Sequence, residues 1–75
     1  MPAKRPSKPW RLLYTIPSGL HETKHRSEPA TYREVIAEKE RIAAGESRTE
    51  RIRVEKWSVP YGQWELIEIA YPEED

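Results

Sequence analysis

The apolar pattern of residues 51–71 changes phase on both sides of a turn, and this limits what the chain can fold into more than any other feature. Ile52 and Val54 give way to Trp57 and Val59; beyond the turn, Trp64 and Leu66 give way to Ile67 and Ile69. Side chains along a strand alternate between faces, so each change of phase carries the apolar residues to the opposite side. Pro60-Tyr61-Gly62-Gln63 reads as a tight turn, with Gly62 taking a positive φ. Closure there sets Val59 against Trp64, Trp57 against Leu66, Val54 against Ile69 and Ile52 against Tyr71. A single bulge would shift one strand alone, whereas matched shifts in both predict a hairpin that is apolar on both faces. In that register Glu55 opposes Glu68. Like charges in that position repel, and Arg53, diagonal to the pair, offsets them.

One face of such a hairpin can pack a helix, and the sequence supplies one. Thr31 and Glu34 have capping-box spacing with Pro29 just upstream. Tyr32, Val35, Ile36, Ile42 and Ala43 fall on one side at helical spacing, bridged by the stem of Lys39. Glu34, Glu38, Glu40 and Arg41 are left to water, and Gly45 fits the position just past the helix end. Upstream, Trp10–Ile16 reads as a strand with Trp10, Leu12, Tyr14 and Ile16 on one face. Pro17-Ser18-Gly19 reads as a hairpin loop, and Leu20–Arg26 as a short polar edge strand. The last two strands run over Arg51–Val59 and Gln63–Tyr71. The order strand–strand–helix–strand–strand predicts an α+β two-layer domain: an antiparallel sheet of about four strands with one helix on a face. Its expected core is Leu12, Tyr14, Ile16, Val35, Ile36, Ile42, Ile52, Val54, Ile67 and Ile69. Sheet order stays open.

Composition sharpens this picture at two points. The chain has 75 residues and no cysteine, so a thin core must hold without disulfides or thiolate zinc sites, through helix–sheet packing that self-association can reinforce. Its zero net charge hides an asymmetry. Residues 1–26 carry six Lys or Arg against one Glu, and residues 27–75 carry seven against twelve acidic residues. The expected organisation is a disordered basic tail over 1–9, a domain over 10–71 and an acidic tail over 72–75.

Trp57, Val59, Trp64 and Leu66, with Tyr61 at the turn tip, form the leading candidate site. The second face of the hairpin would hold an apolar patch with two tryptophans, and such patches mark interaction surfaces. The bland alternatives are that Trp10 and the tail fold over it, or that sheet twist returns it to the helix side. A second reading uses the basic set Lys4, Arg5, Lys8, Arg11, Lys24 and Arg26, with Trp10 stacking on a base, as a nucleic-acid contact. Against it stand the overall neutrality and the lack of any helix-turn-helix, zinc-finger or ribonucleoprotein motif. His21 and His25, four apart on a strand, lie too far along it to share an ion. No nucleophile elbow and no Gly-rich phosphate loop occurs, so neither catalysis, a cofactor nor a small-molecule substrate is expected. No apolar run approaches the length of a membrane span.

The phrase Trp10-Arg11-Leu12-Leu13-Tyr14-Thr15-Ile16-Pro17-Ser18-Gly19 resembles a recurring opening in small uncharacterised accessory proteins of actinobacteria and their phages. Thr31, Glu34 and Gly45 match the capped helix that follows there, and Ile52, Val54, Gly62 and Trp64 match its "Ile-x-Val…Gly-x-Trp" hairpin. The likeness spans about residues 10–71; the long polar second strand and Trp57 depart from it. The resemblance carries over no functional residue. It implies a phage or mobile-element protein in the bacterial host cytoplasm, acting by binding a host protein, nucleic acid or a second copy of itself.

Overall fold

A computed structural model of the chain describes residues 6–73. Lys4, Arg5, Glu74 and Asp75 lie outside the described residues. The elements are β1 (Trp10–Ile16), β2 (Gly19–His25), α1 (Glu28–Ala43), β3 (Arg51–Ser58) and β4 (Gln63–Tyr71). The four strands make one antiparallel sheet in the order β2-β1-β3-β4, and α1 lies across β1 and β2. This is the α+β two-layer domain that the alternation predicts, with the open question of sheet order settled.

β1 and β3 are the inner strands, and their pairing sets Leu12 against Val54 and Tyr14 against Ile52. Leu12, Ile52 and Val54 are consequently inaccessible to solvent, and Trp10, Tyr14, Val35 and Ala70 complete the core. Ile16, Tyr32, Ile42 and Tyr71 pack at its margin. The strand β1 is extended backwards by Pro9, a buried residue whose carbonyl accepts the Trp57 N–H at 2.7 Å.

Ser27, rather than Thr31, caps the helix. Its backbone is extended and its Oγ accepts the Ala30 N–H at 3.3 Å, while Pro29 occupies the first turn, where a missing N–H removes no helical bond. Thr31 is fully buried, and its hydroxyl donates to the Ser27 carbonyl at 2.8 Å. The inward stripe is Thr31, Val35 and Glu38, with Ile42 half-buried. Ile36 is 57% exposed and Ala43 is also exposed, correcting their expected place against the sheet. Ile36 lies on the same flank of the helix as Tyr32 and Lys39, which reach Glu68 and Glu73 on the β4 side, and the helix packs on β1 and β2, so that flank overhangs the hairpin and Ile36 stays open to solvent. At the far end Gly45 takes φ +76°. Its N–H bonds the Ile42 carbonyl and the Glu46 N–H bonds the Arg41 carbonyl, at 3.0 and 2.8 Å. These are the paired bonds of a Schellman stop.

The β3–β4 hairpin departs most from its expected register. Its turn is one residue earlier, over Val59–Gly62, with Pro60 in the second position. The Gly62 N–H reaches both the Ser58 and Val59 carbonyls, at 2.8 and 3.3 Å. Trp57 therefore faces Trp64 and Glu55 faces Leu66, while Val59 sits in the loop. Two residues of β4, Ile67 and Ala70, have no partner on β3, marking a bulge at each. Ile52 pairs with Tyr71 as expected, but Val54 pairs with Glu68 and Arg53 with Ile69. The expected opposition of Glu55 and Glu68 does not occur. Ile67, 46% exposed, and Ile69, 40% exposed, leave the expected core; Trp10 and Ala70 fill it instead.

Candidate functional site

Pairing across the sheet assigns every strand residue to a face. Trp10, Leu12, Tyr14, Ile52, Val54 and Glu68 share the face under the helix. Arg11, Leu13, Glu22, Lys24, Arg53, Glu55, Trp57, Trp64, Leu66 and Ile69 share the other. No described element covers this outer face. Of the leading site residues, Trp57, Trp64 and Leu66 are brought together on it. Val59, 48% exposed, and Tyr61, 74% exposed, stand in the loop at the tip.

A buried carboxylate organises the outer face. Glu55 is 4% exposed. Its Oε1 accepts from Arg11 Nε at 2.6 Å and its Oε2 from Arg53 Nη2 at 3.0 Å. Arg11 also donates to Glu22 on β2 at 3.0 Å. The guanidinium of Arg11 then lies 4.5 Å from the centre of the Trp64 ring, a cation–π contact. Trp64 meets Trp57 edge to face, with ring centres 5.4 Å apart and planes at 78°, the arrangement that the ring quadrupole favours. The chain Glu22–Arg11–Glu55–Arg53 thus spans all but the β4 edge, and the tryptophans continue it there. Beside them Leu66, 49% exposed, and Ile69 remain open to solvent. The Trp57 indole Nε1 is shielded from solvent and has no acceptor among the described residues. Around the hairpin tip a groove of about 390 Å³ is lined by Lys56, Ser58, Val59, Pro60, Glu65 and Ile67.

The basic set is not gathered into one site. Trp10 is 6% exposed within the core, with Lys56 Nζ 5.4 Å from its ring centre, so it offers no face to a base. Arg11 is engaged by two carboxylates, and Lys24 lies 3.9 Å from Glu22. Lys8 and Arg26 are exposed. His21 stacks on Tyr14 with centres 5.9 Å apart, and the His25 ring pairs with the Thr23 hydroxyl at 2.8 Å. Burial and, less strongly, the nearby Lys8 charge hold His25 below its ordinary value, against the pull of Glu34. Among the described residues no three His, Cys, Asp or Glu side chains are placed to share a metal ion, and no helix is long and apolar enough to cross a membrane.

A polar cleft between α1 and β2 has no counterpart in the sequence reading, which left Glu38 in water. Glu38 is 8% exposed. Arg41 Nε and Ser47 Oγ donate to it at 2.7 and 2.8 Å, and the Thr49 hydroxyl donates to the same oxygen as Ser47. Burial pushes the Glu38 carboxyl up, but the bonds from Thr49, Ser47 and Arg41 outweigh it and hold the group below its ordinary value. The network fastens the helix to its return loop. Tyr14 forms the floor, its phenol pushed up by burial and pulled back in part by Thr23. On the β4 side, burial and the hydrogen bond to Glu68 push the Tyr32 phenol up to about 12.

Comparison with protein-family models, with curated proteins and with solved structures finds no match.

Proposed function

We propose that this protein is a small, non-enzymatic interaction module that docks a protein through the outer face of the β3–β4 hairpin. The observation that carries the reading is the gathering of Trp57, Trp64, Leu66 and Ile69 on one uncovered sheet face, since tryptophan beside exposed aliphatic residues is a common make-up of binding hot spots. The sequence resemblance supports a setting as a phage or mobile-element accessory protein in the cytoplasm of a bacterial host. The occupant is then a host protein or a second copy of the chain. The nucleic-acid reading is the weaker one, because Trp10 is in the core and Arg11 is already paired.

Solution mass by light scattering across a concentration series, together with capture from host lysate, tests this for wild type and for Leu66→Lys/Ile69→Lys. Both substituted side chains are exposed, so the fold should survive, as circular dichroism would verify. Loss of either a concentration-dependent mass increase or a captured protein in the folded variant supports the face; the first identifies self-association and the second a host partner. Unchanged mass and unchanged capture overturn it.

A further inference from the structure

The sheet has two free edges, and they differ in kind. β2 carries Glu22 and Lys24 among its exposed residues, the charge that guards edges against further pairing. β4 has neither lysine, arginine nor proline between Gln63 and Tyr71; its guards are acidic only, Glu65 and Glu68, with the bulges at Ile67 and Ala70, and it exposes Leu66, Ile67 and Ile69 by 40–49%. Its regular stretch Gln63–Leu66 precedes the first bulge, so every second residue there turns its N–H and C=O outward with no strand beside it.

The side chains along that edge state what could pair with it. Trp64, Leu66 and Ile69 line the outer side, so a neighbouring strand must present apolar residues there. Glu65 and Glu68 line the helix side. Glu65 faces Lys56 across the β3 pairing, but neither carboxylate comes within ion-pair distance of a cation among the described residues, and Glu68 accepts from the Tyr32 hydroxyl at 3.0 Å. A neighbouring strand is favoured if it places lysine or arginine opposite them. A second copy is a poor occupant of this edge. Antiparallel self-pairing centred on β4 brings Glu65 and Glu68 of the two copies opposite or diagonal to one another, where like charges repel.

We propose that β4 accepts an extended segment of a partner protein as a fifth strand, its apolar residues continuing the outer face and its lysine or arginine residues alternating onto the Glu65–Glu68 side. This rests on the reading of the hairpin as a protein-docking site and names the partner's chemistry. Strand addition of this kind takes affinity from main-chain bonds and selectivity from alternate side chains.

The test uses the full chain, labelled with ¹⁵N, and two synthetic peptides: one alternating Lys with Val, the other Glu with Val. The expected result is that the Lys peptide shifts and protects amides of Gln63–Ile69, that the Glu peptide does neither, and that Glu65→Lys/Glu68→Lys weakens the Lys peptide about tenfold and admits the Glu peptide. Equal binding of both peptides, shifts on β2 instead, or no shifts at all overturn the proposal. The Trp57 and Trp64 indole N–H signals separate the two readings. If those indoles respond while the β4 amides gain no protection, strand addition fails and the docking face stands. Glu65→Gln/Glu68→Gln supplies the same comparison should the charge-reversed chain fail to fold.

Discussion

Glu55 and Glu38 are both carboxylates enclosed by donors, one on each side of the sheet, and they perform different tasks. Glu55 sits beneath Arg11 and Arg53 and so fixes the guanidinium that lies over Trp64. It shapes the outer face without being exposed on it. Glu38 joins α1 to Ser47 and Thr49, and its effect on stability depends on pH. Its folded value is depressed, so its contribution is fully present above the unfolded value of about 4.5 and is lost as pH falls through the folded value. Glu38→Gln is expected to lower unfolding free energy by about 1–3 kcal/mol at pH 7. The gap from wild type should narrow at pH 3. Urea melts at both values check this, and a gap of equal size at the two would show that Glu38 contributes through shape alone.

Among the elements, α1 is held at its ends by local chemistry and along its length by tertiary contacts. Gly45 closes it with a positive φ, and a Cβ there would meet no atom within 4 Å. Gly45→Ala therefore tests backbone strain without a clash and should cost about 1 kcal/mol. Gly45→Asn should recover part of this, because Asn tolerates the left-handed region; thermal melts that rank Ala at or above Gly would refute the assignment. Gly45 was legible in the sequence because the requirement is local. So were the strand spans, which Pro17, Pro60 and alternation delimit. Thr31 and Glu38 were not legible as inward residues, since Thr31 satisfies its hydroxyl on the Ser27 carbonyl one turn back and Glu38 on the distant Ser47 and Thr49. The β3–β4 register was hidden for a related reason: nothing in Ile67 or Ala70 announces an unpaired residue. Trp57, Trp64 and Leu66 still came out on one face because the register error at the tip was two residues, which preserves alternation.

Over the whole molecule the two layers overlap only in part. The helix lies on β1 and β2, and the β3–β4 hairpin pairs beyond it in a body measuring 46 × 24 × 24 Å. Cover from a second layer and pairing on both edges both resist local opening. β1 has both, β3 has the pairing, and β4 lacks the outer neighbour. Amide hydrogen exchange should therefore release β4 at lower free energy than β1 and β3. Protection of β4 equal to that of β1 would mean that something covers its edge in solution. The charge asymmetry between the two parts of the sequence is redistributed by the fold: Arg11, Lys24 and Arg53 join Glu22 and Glu55 on the outer face, and Glu65 and Glu68 lie on the reverse side of β4.

The bulges at Ile67 and Ala70 also loosen the link between residue count and facing along β4. Leu66 points to the outer face and Glu68 to the helix side; Ile69 is outward and Tyr71 inward. Removing Ile67 or Ala70 leaves each of those neighbours in the alternation of an unbroken strand, with no side chain turned to the wrong face. β3 has no such slack, and losing one residue from its middle would carry Trp57 inward or Val54 outward. Of the two strands that build the outer tryptophan face, one can lose Ile67 without changing which face its neighbours take, while the other must keep its count; Ala70 is held by its place in the core.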